Sequence, residues 1–278
     1  APSFSQSGVY SVLFTATDAC GNHTATRALF TIKDTSAPAV TVQAQDMTVE
    51  CDGSGNSAQL TAWLINHGGA VASDACSSVT WSHNYTGLSN LCGATGLATV
   101  TFVATDACGN KSAETSAVFR ILDTTAPVFT CPQNITQPAD EGMDFATVTI
   151  KVPGAEESCG TVQISNSKTG TANAGGQYPL GTTTVTYTVT DDCGNQSSCS
   201  FTVTVVDQEA PILNCPGNIS GIECREDLPV AYAGYTAFIA AGGSAFDNQR
   251  INPLSFALLS ETSNSGTCPE IITRIYRS

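Results

Sequence analysis

The sequence has few basic residues and few of the groups that catalysis uses. Only ten lysines and arginines stand against 24 aspartates and glutamates in 278 residues, which gives a net charge of −14. An acidic surface repels a phosphate backbone, so nucleic acid is a poor partner. The three histidines are scattered, and there is no His-Glu-x-x-His pair, no Gly-x-Ser-x-Gly elbow and no P-loop. These absences predict a protein that is not an enzyme.

The sequence also lacks long hydrophobic runs and closely spaced cysteine pairs. No apolar stretch reaches the roughly 20 residues that a membrane-spanning helix needs. Twelve cysteines occur without one Cys-x-x-Cys spacing, which favours disulfides over zinc. Because disulfides persist in oxidising compartments, we expect an extracellular protein at the cell surface.

What the sequence does contain is a turn motif, Thr-Asp-x-Cys-Gly-Asn, that occurs three times. The copies begin at Thr17, Thr105 and Thr190, and each lies between two runs of alternating apolar and polar residues. Each is followed by Asp-x-x-Ala-Pro. A repeat of about 85 residues indicates an array of small modules, which are marginal in stability without cross-links.

The Asp-x-x-Ala-Pro segments divide the chain, because proline suits the entry to a first strand rather than a sheet centre. They predict the C-terminal part of a module at 1–34, complete modules at 35–123 and 124–207, and a truncated module at 208–278. The sequence therefore has the character of a piece of a longer protein. Short alternating strands with Gly, Pro and Asn turns predict all-β, immunoglobulin-like sandwiches.

Two of these segments, 35–123 and 208–278, carry a short helical pattern. Leu60, Trp63 and Leu64 recur at helical spacing before His67-Gly68-Gly69, and the pattern returns at 235–243. We expect each helix insert to cap a module core.

One stretch carries a family resemblance. Residues 181–187, the turn 191–195 and the strand 199–207 resemble the hyalin-repeat (HYR) module. The resemblance implies an immunoglobulin-like sandwich and a role in extracellular adhesion. The whole array is similar to very long cell-surface adhesins of Bacteroidota, including the gliding-motility adhesin that the type IX secretion system exports.

Aligning the repeats suggests how the cysteines pair, although sequence alone does not fix the connectivity. We expect every disulfide to lie within one module, with Cys131 at a module entry joined to Cys199 on its last strand. The other expected pairs are Cys51–Cys92, Cys76–Cys108, Cys159–Cys193 and Cys224–Cys268. Cys20 and Cys215 remain, with partners expected beyond the ends of this sequence.

Aspartates at the junctions and in the turns form a candidate calcium site, because calcium takes several oxygen ligands. The candidates are Asp34, Asp123 and Asp207 at the junctions and Asp106 and Asp191 in the turns. The alternative is that the turn aspartates cap their own turns by Asx-type hydrogen bonds and the junction aspartates start turns. The sequence leaves both interpretations open.

The predicted function is structural and adhesive. A stalk or filament of repeats in a long secreted adhesin would serve surface attachment and gliding motility, and many weak sites would gain by multivalency. The expected partners are neighbouring repeats, a surface polysaccharide or other extracellular ligand, and the secretion and motility machinery. The alternatives are a spacer array of an extracellular enzyme and a carbohydrate-binding module, whose candidate patch is Trp81 with Tyr85.

Overall fold

The computed structural model describes residues 8–222, 225–265 and 270–277. The chain divides into two compact units. The first unit takes the chain up to Phe129 together with Ala155–Gln163 and Val189–Ser197. The second unit takes Thr130–Gly154, Ile164–Thr188 and the chain from Ser198 onward.

Strands make up most of the regular structure. They are β1 (Gly8–Thr17), β2 (His23–Ile32), β3 (Ala39–Val42), β4 (Met47–Glu50), β5 (Val71–Ser73), β6 (Val79–His83), β7 (Gly96–Asp106), β8 (Thr115–Leu122), β9 (Val128–Phe129), β10 (Ile135–Pro138), β11 (Phe145–Val148), β12 (Ala155–Glu156), β13 (Val162–Asn166), β14 (Gly176–Pro179), β15 (Gly181–Asp191), β16 (Gln196–Val206), β17 (Ile212–Asn214), β18 (Ser244–Phe246), β19 (Ala257–Ser263) and β20 (Ile272–Arg277). The helices are α1 (Ser57–Ile65) and α2 (Tyr235–Ala240), with 3-10 turns at His67–Gly69 and Arg225–Asp227. Over the described ranges, neither helix has the length and apolar character needed to cross a membrane.

The first unit is built on a four-stranded sheet with the order β4-β8-β7-β6. β4 runs parallel to β8, and the other neighbours are antiparallel. Buried positions alternate along β7, because successive side chains of a strand point to opposite faces. The core side of the sheet carries Val100, Phe102, Phe119 and Ile121, all without exposed surface. A second sheet pairs β3 with β5, and β1 pairs with β2 in a hairpin.

The predicted helix insert is present as α1 and packs on this core. Leu60 and Trp63 are buried in the same cluster as the sheet residues. The Trp63 indole meets the Phe102 ring edge-on at 5.4 Å between centroids, and its Nε1 donates to the Gln45 carbonyl oxygen at 3.1 Å. The residue after the helix C-cap, His67, is in the left-handed region at φ 53°, and the expected glycine, Gly68 at φ 66°, comes one residue later.

The second unit holds most of a sheet with the order β10-β16-β15-β13. Its outer strand β10 runs parallel to β16, as β4 does to β8. The buried rings of Tyr187 and Phe201 stack at 6.0 Å in its core. Smaller sheets pair β11 with β14, β17 with β18 and β19 with β20. The helix α2 buries Phe238 against Phe256, with ring centroids 4.9 Å apart.

The protein is therefore all-β with immunoglobulin-like architecture, as the alternating runs predicted. Two four-stranded sheets of the same topology recur along the chain, each with one parallel outer strand. This repetition puts the motif turns and the cysteines at comparable places.

Candidate functional site: a junction closed by two disulfides

The repeated Asp-x-Cys-Gly-Asn turn has one geometry in all three copies. In the second copy, Asp106 Oδ1 accepts from the backbone N–H of Cys108 at 2.9 Å and of Asn110 at 2.8 Å, while Oδ2 accepts from Asn110 Nδ2 at 2.7 Å. Asp18 and Asp191 accept the equivalent bonds. Burial alone would raise the pKa of Asp106, but these hydrogen bonds outweigh it and lower the pKa. Each turn aspartate therefore caps its own turn.

The last residue of the motif ties two of these turns to the segments between the repeats. Asn110 Nδ2 also donates to the carbonyl oxygen of Asp34 at 3.2 Å. Asn195 Nδ2 donates in the same way to the carbonyl oxygen of Asp123, again at 3.2 Å. The boundary aspartate is thus fixed to the turn through its backbone.

The disulfides contradict most of the expected pairing. Cys51 is bonded to Cys159 and Cys92 to Cys193, across 108 and 101 residues. The predicted pairs Cys51–Cys92, Cys76–Cys108 and Cys159–Cys193 are therefore wrong, and the described residues contain no Cys76–Cys108 bond. Cys131 is bonded to Cys199, the pair expected from the alignment. Cys224 and Cys268 lie outside the described residues.

The strand register explains why the expected pairs do not form. Glu50, next to Cys51, pairs with Leu122, and Gly96, shortly after Cys92, pairs with Ile121. Both cysteines therefore lie at the end of β8, where the chain passes into the next repeat. Cys76 and Cys108 lie at the opposite end of the same sheet, because Val79 pairs with Asp106. The cysteines at the β8 end cross-link to the following repeat rather than to each other.

Two glycines allow the segments joined by these disulfides to meet closely. Gly53 and Gly93 both have positive φ, 74° and 54°. A β-carbon at Gly53 would overlap the carbonyl oxygen of Ser158, and one at Gly93 would overlap that of Cys159. Next to this contact, the Ala94 N–H donates to the Cys159 carbonyl oxygen at 2.8 Å. Only glycine fits the backbone approach at these two positions.

Carboxylates surround the junction, each with a defined partner. Glu50 accepts from the backbone N–H and hydroxyl of Thr124 at 2.8 and 2.9 Å and from the Thr125 hydroxyl at 2.8 Å. The Thr124 N–H contributes most to lowering the pKa of Glu50. Burial raises the pKa of Asp123, and neighbouring carboxylates raise it further. The hydrogen bond from the Thr125 N–H has the opposite, smaller effect. Asp192 accepts from the Thr161 N–H at 2.7 Å.

Among the described residues, two groups have the spacing of metal ligands. They are Asp34 with Asp74 and Cys76, and Asp123 with Glu157 and Cys159, whose ligand atoms lie within 4.8 Å of one another. Of the five predicted calcium ligands, Asp34 and Asp123 belong to these two groups and the other three do not. Asp106 and Asp191 cap turns, and Asp207 Oδ1 accepts from the Glu209 N–H. Calcium binding stays a prediction.

A shallow depression of about 430 Å³ lies elsewhere in the first unit, lined by Thr61, Leu64, Ile65, His67, Trp81 and His83. The His67 ring stacks on Trp81 at 4.9 Å. Burial and the nearby His83 lower the pKa of His67. Trp81 and Tyr85 are partly buried against the core rather than forming an exposed aromatic platform.

Comparison with known proteins finds that one part of the chain matches a family model. Residues 122–205 match the HYR domain. Hyalin of Strongylocentrotus purpuratus is 37% identical over 129 residues, which are 45% of this chain and 10% of hyalin. A mouse protein named for its sushi, von Willebrand factor type A, EGF and pentraxin domains is 36% identical over 108 residues, 39% of this chain and 3% of that protein. The chain therefore spans only a small part of these relatives.

The HYR match covers the repeat that contains Cys131–Cys199 and receives the two cross-links. Hyalin of Lytechinus variegatus is 34% identical over 125 residues, 44% of this chain and 23% of that protein. Among solved structures, protocadherin gamma B2 extracellular cadherin domains 1–5 cover 98% of the chain and 64% of their own at 11% identity, with a TM-score of 0.33. Because this TM-score is low, the fold class is assigned from the strands and sheets of this chain and not from its similarity to the protocadherin structure. The disulfides and the HYR relatives make this an extracellular chain.

The sequence missed the residues that build the junction. The partners of Cys51 and Cys92, and the glycines beside them, follow from which end of a sheet each residue occupies. The asparagine that ends every turn motif was visible as a recurring residue. Its second hydrogen bond, to a boundary carbonyl, has no sequence signal beyond that recurrence.

Proposed function

We propose that the chain is a structural and adhesive segment of a long secreted cell-surface protein. The modules 35–123 and 124–207, flanked by partial modules at 1–34 and 208–278, act as a stalk. HYR-containing relatives support an extracellular adhesive role. The observation that carries the stalk function is the pair of disulfides from Cys51 and Cys92 to the following repeat.

These disulfides protect the chain against extension. In the oxidised chain, the shortest covalent path from Cys51 to Cys199 passes through Cys159 and Cys131 and contains 28 residues. In the reduced chain the same path contains 148 residues, from position 51 to position 199. Each loop of about 100 residues would also stabilise the fold by about 4.7 kcal/mol on the chain-entropy model. Because the loops overlap, the two contributions do not add.

The resemblance of the array to long cell-surface adhesins of Bacteroidota supports a more specific role for this segment. Attachment to a surface polysaccharide or another extracellular ligand, gliding motility, and export by a type IX secretion system are all consistent with an acidic, disulfide-linked array of adhesion modules. Weak sites repeated along such a stalk would bind with high avidity when several engage together.

Pulling on single molecules tests the stalk function. The 278-residue chain is held by its ends and extended before and after reduction. Reduction should release roughly 120 residues, or about 400 Å at 3.3–3.6 Å per residue. A chain that extends to the same length in both states would contradict the proposed function.

Adhesion is tested separately with beads that carry the chain. Bead retention under flow, on surfaces coated with extracellular polysaccharide, should rise more steeply than linearly with the density of the chain. Beads that carry an unrelated acidic β-sandwich of equal charge are the control. Equal retention of the two kinds of bead would contradict an adhesive role for this segment.

A carbohydrate-binding function is the second candidate, and the depression lined by His67, Trp81 and His83 favours it. Sugar rings pack on aromatic faces, so Trp81→Ala should abolish bead retention if this depression binds the ligand. Retention unchanged in Trp81→Ala would remove this candidate and leave the distributed, multivalent contact.

A further inference from the structure

Two places in the first unit share one local structure but differ in what is bonded to them. The stapled face comprises residues 157–161 and 191–195, which receive Cys51 and Cys92. The matching face comprises residues 74–78 and 106–110. It lies at the end of the β4-β8-β7-β6 sheet that is remote from Cys51 and Cys92. The two faces occupy equivalent positions in successive repeats.

Hydrogen bonds show how closely the faces agree. On the stapled face, Glu157 Oε1 accepts from the Cys159 N–H at 2.9 Å. On the matching face, Asp74 Oδ1 accepts from the Cys76 N–H at 2.8 Å. The two motif turns carry the same capping bonds, and each turn asparagine is 3.2 Å from its boundary carbonyl oxygen. The fold therefore holds Cys76 as it holds Cys159.

The boundary segments agree as well. Asp123 Oδ1 accepts from the Thr125 N–H at 3.2 Å, and Asp34 Oδ1 accepts from the Ser36 N–H at 2.9 Å. Thr124 and Thr125 donate to Glu50, the residue directly before the cross-linking Cys51. Thr35 and Ser36 offer the same hydroxyl donors at the matching face.

The matching face contains a buried polar atom without a hydrogen-bond partner close to its cysteine. Cys76 is exposed and carries no disulfide. Asp34 is only 6% exposed, and its Oδ2 is buried without a hydrogen-bond partner. The Asp34 carboxylate lies within 4.8 Å of Cys76 Sγ and of an Asp74 oxygen. A buried carboxylate oxygen without a donor is costly, so this face is built to receive a further group.

We propose that the matching face docks a second module of this type and that Cys76 forms a disulfide with it. The partner is a loop with a Glu-Cys sequence, of which this chain has two, Glu50-Cys51 and Glu223-Cys224. Its glutamate accepts from Thr35 and Ser36, its cysteine bonds to Cys76, and a donor of the loop reaches Asp34 Oδ2. Since Cys51 is already used, Cys224 of a second copy is the partner that this chain itself can supply, and this bond would replace the Cys224–Cys268 pair that the alignment of the repeats predicts.

The bond forms by thiol–disulfide exchange with a low-molecular-weight disulfide such as oxidised glutathione. The Cys76 thiolate attacks one sulfur of that disulfide, forming a mixed disulfide and releasing one thiolate. The partner thiolate then displaces the second. Two protein thiols are oxidised to one disulfide, and one small disulfide is reduced to two thiols.

The test uses the 278-residue chain, its Cys76→Ser variant and a matched Cys20→Ser variant, each held at high concentration in a glutathione redox buffer. Cys20 is also exposed and lies in the same type of turn motif. Non-reducing gels and peptide mapping should show oligomers joined between Cys76 and Cys224. These oligomers should persist in Cys20→Ser, whereas their amount should fall at least tenfold in Cys76→Ser.

Three results would overturn the proposal. One is a chain that stays monomeric, and another is a set of oligomers that survives in Cys76→Ser. The third is a Cys76 peptide linked to Cys108 of its own chain. None of these results affects the extension measured by pulling, so the two experiments test this proposal and the stalk function independently.

Discussion

Asn195 Nδ2 donates a hydrogen bond to the backbone carbonyl oxygen of Asp123, 3.2 Å away and 72 residues earlier in the chain. The bond fixes the motif turn to the segment where the match to the HYR domain begins. Asn110 and Asp34 repeat it at the same distance. A residue that the sequence presents as part of a local turn therefore also holds a long-range contact, and the disulfide of the adjacent Cys193 closes beside it.

Replacing this asparagine should cost more than replacing its counterpart in the first turn. Asn195→Ala loses the bonds to Asp191 and to the Asp123 carbonyl, whereas Asn22→Ala loses only the bond to Asp18 that is found among the described residues. The difference should be about 1 kcal/mol, the typical net contribution of one hydrogen bond. Calorimetry of both variants measures it. Equal losses would show that the bond to Asp123 adds nothing.

Gly93 and Gly109 form a matched pair for testing the close approach at the junction. Both have positive φ, 54° and 86°, so alanine strains the backbone at each. Only at Gly93 would the new β-carbon overlap another segment, at the Cys159 carbonyl oxygen. Gly93→Ala should therefore lower the melting temperature more than Gly109→Ala and leave more Cys92 thiol after oxidative refolding. A melting temperature no lower than that of Gly109→Ala would refute the contact.

Acid should weaken the junction through Glu50. Hydrogen bonds from Thr124 and Thr125 hold the pKa of Glu50 below its ordinary value of 4.5. A carboxyl whose folded pKa is depressed stabilises the fold fully above its unfolded pKa, and this stabilisation is lost as the pH falls through the folded pKa. Melting temperatures between pH 6 and pH 3 should therefore fall less in Glu50→Gln than in the parent chain. Glu141→Gln, at an exposed loop position, should keep the parent slope, and a parent-like slope in Glu50→Gln would contradict the role of these bonds.

Cys76 should react slowly with alkylating agents. The Asp34 carboxylate, then burial and Asp74, raise the pKa of the Cys76 thiol, so less thiolate is present at a given pH. Asp34→Asn should speed alkylation of Cys76 near pH 8, as followed by mass spectrometry of the Cys76 peptide. The same substitution should leave the alkylation rate of Cys20 unchanged. No acceleration at Cys76 would show that Asp34 does not control its reactivity.

The sequence predicted the elements of the fold because they depend on local patterns. The alternation of residues 100–104 marked a strand with one buried face, and Leu60, Trp63 and Leu64 marked a helix ended by glycine. The turn aspartates were recognised as capping candidates for the same reason. All of these signals lie within a few residues of the structure they describe.

The connectivity of Cys51 and Cys92 could not be predicted in this way. The alignment of repeats assumes that equivalent cysteines close equivalent loops inside each module. The parallel pairing of β4 with β8 instead brings Cys51 to the end where the chain leaves the sheet. Which cysteines share an end depends on strand direction and register, and a cysteine carries neither in its local sequence.

Disulfide mapping of the oxidised 278-residue chain tests the central claim most directly. The chain is digested without reduction after alkylation of its thiols, and the linked peptides are identified by mass spectrometry. The structure predicts one peptide pair that joins Cys51 to Cys159 and another that joins Cys92 to Cys193. Peptides joining Cys51 to Cys92 and Cys159 to Cys193 would contradict it, because each repeat would then close on itself and the junction would have no covalent link.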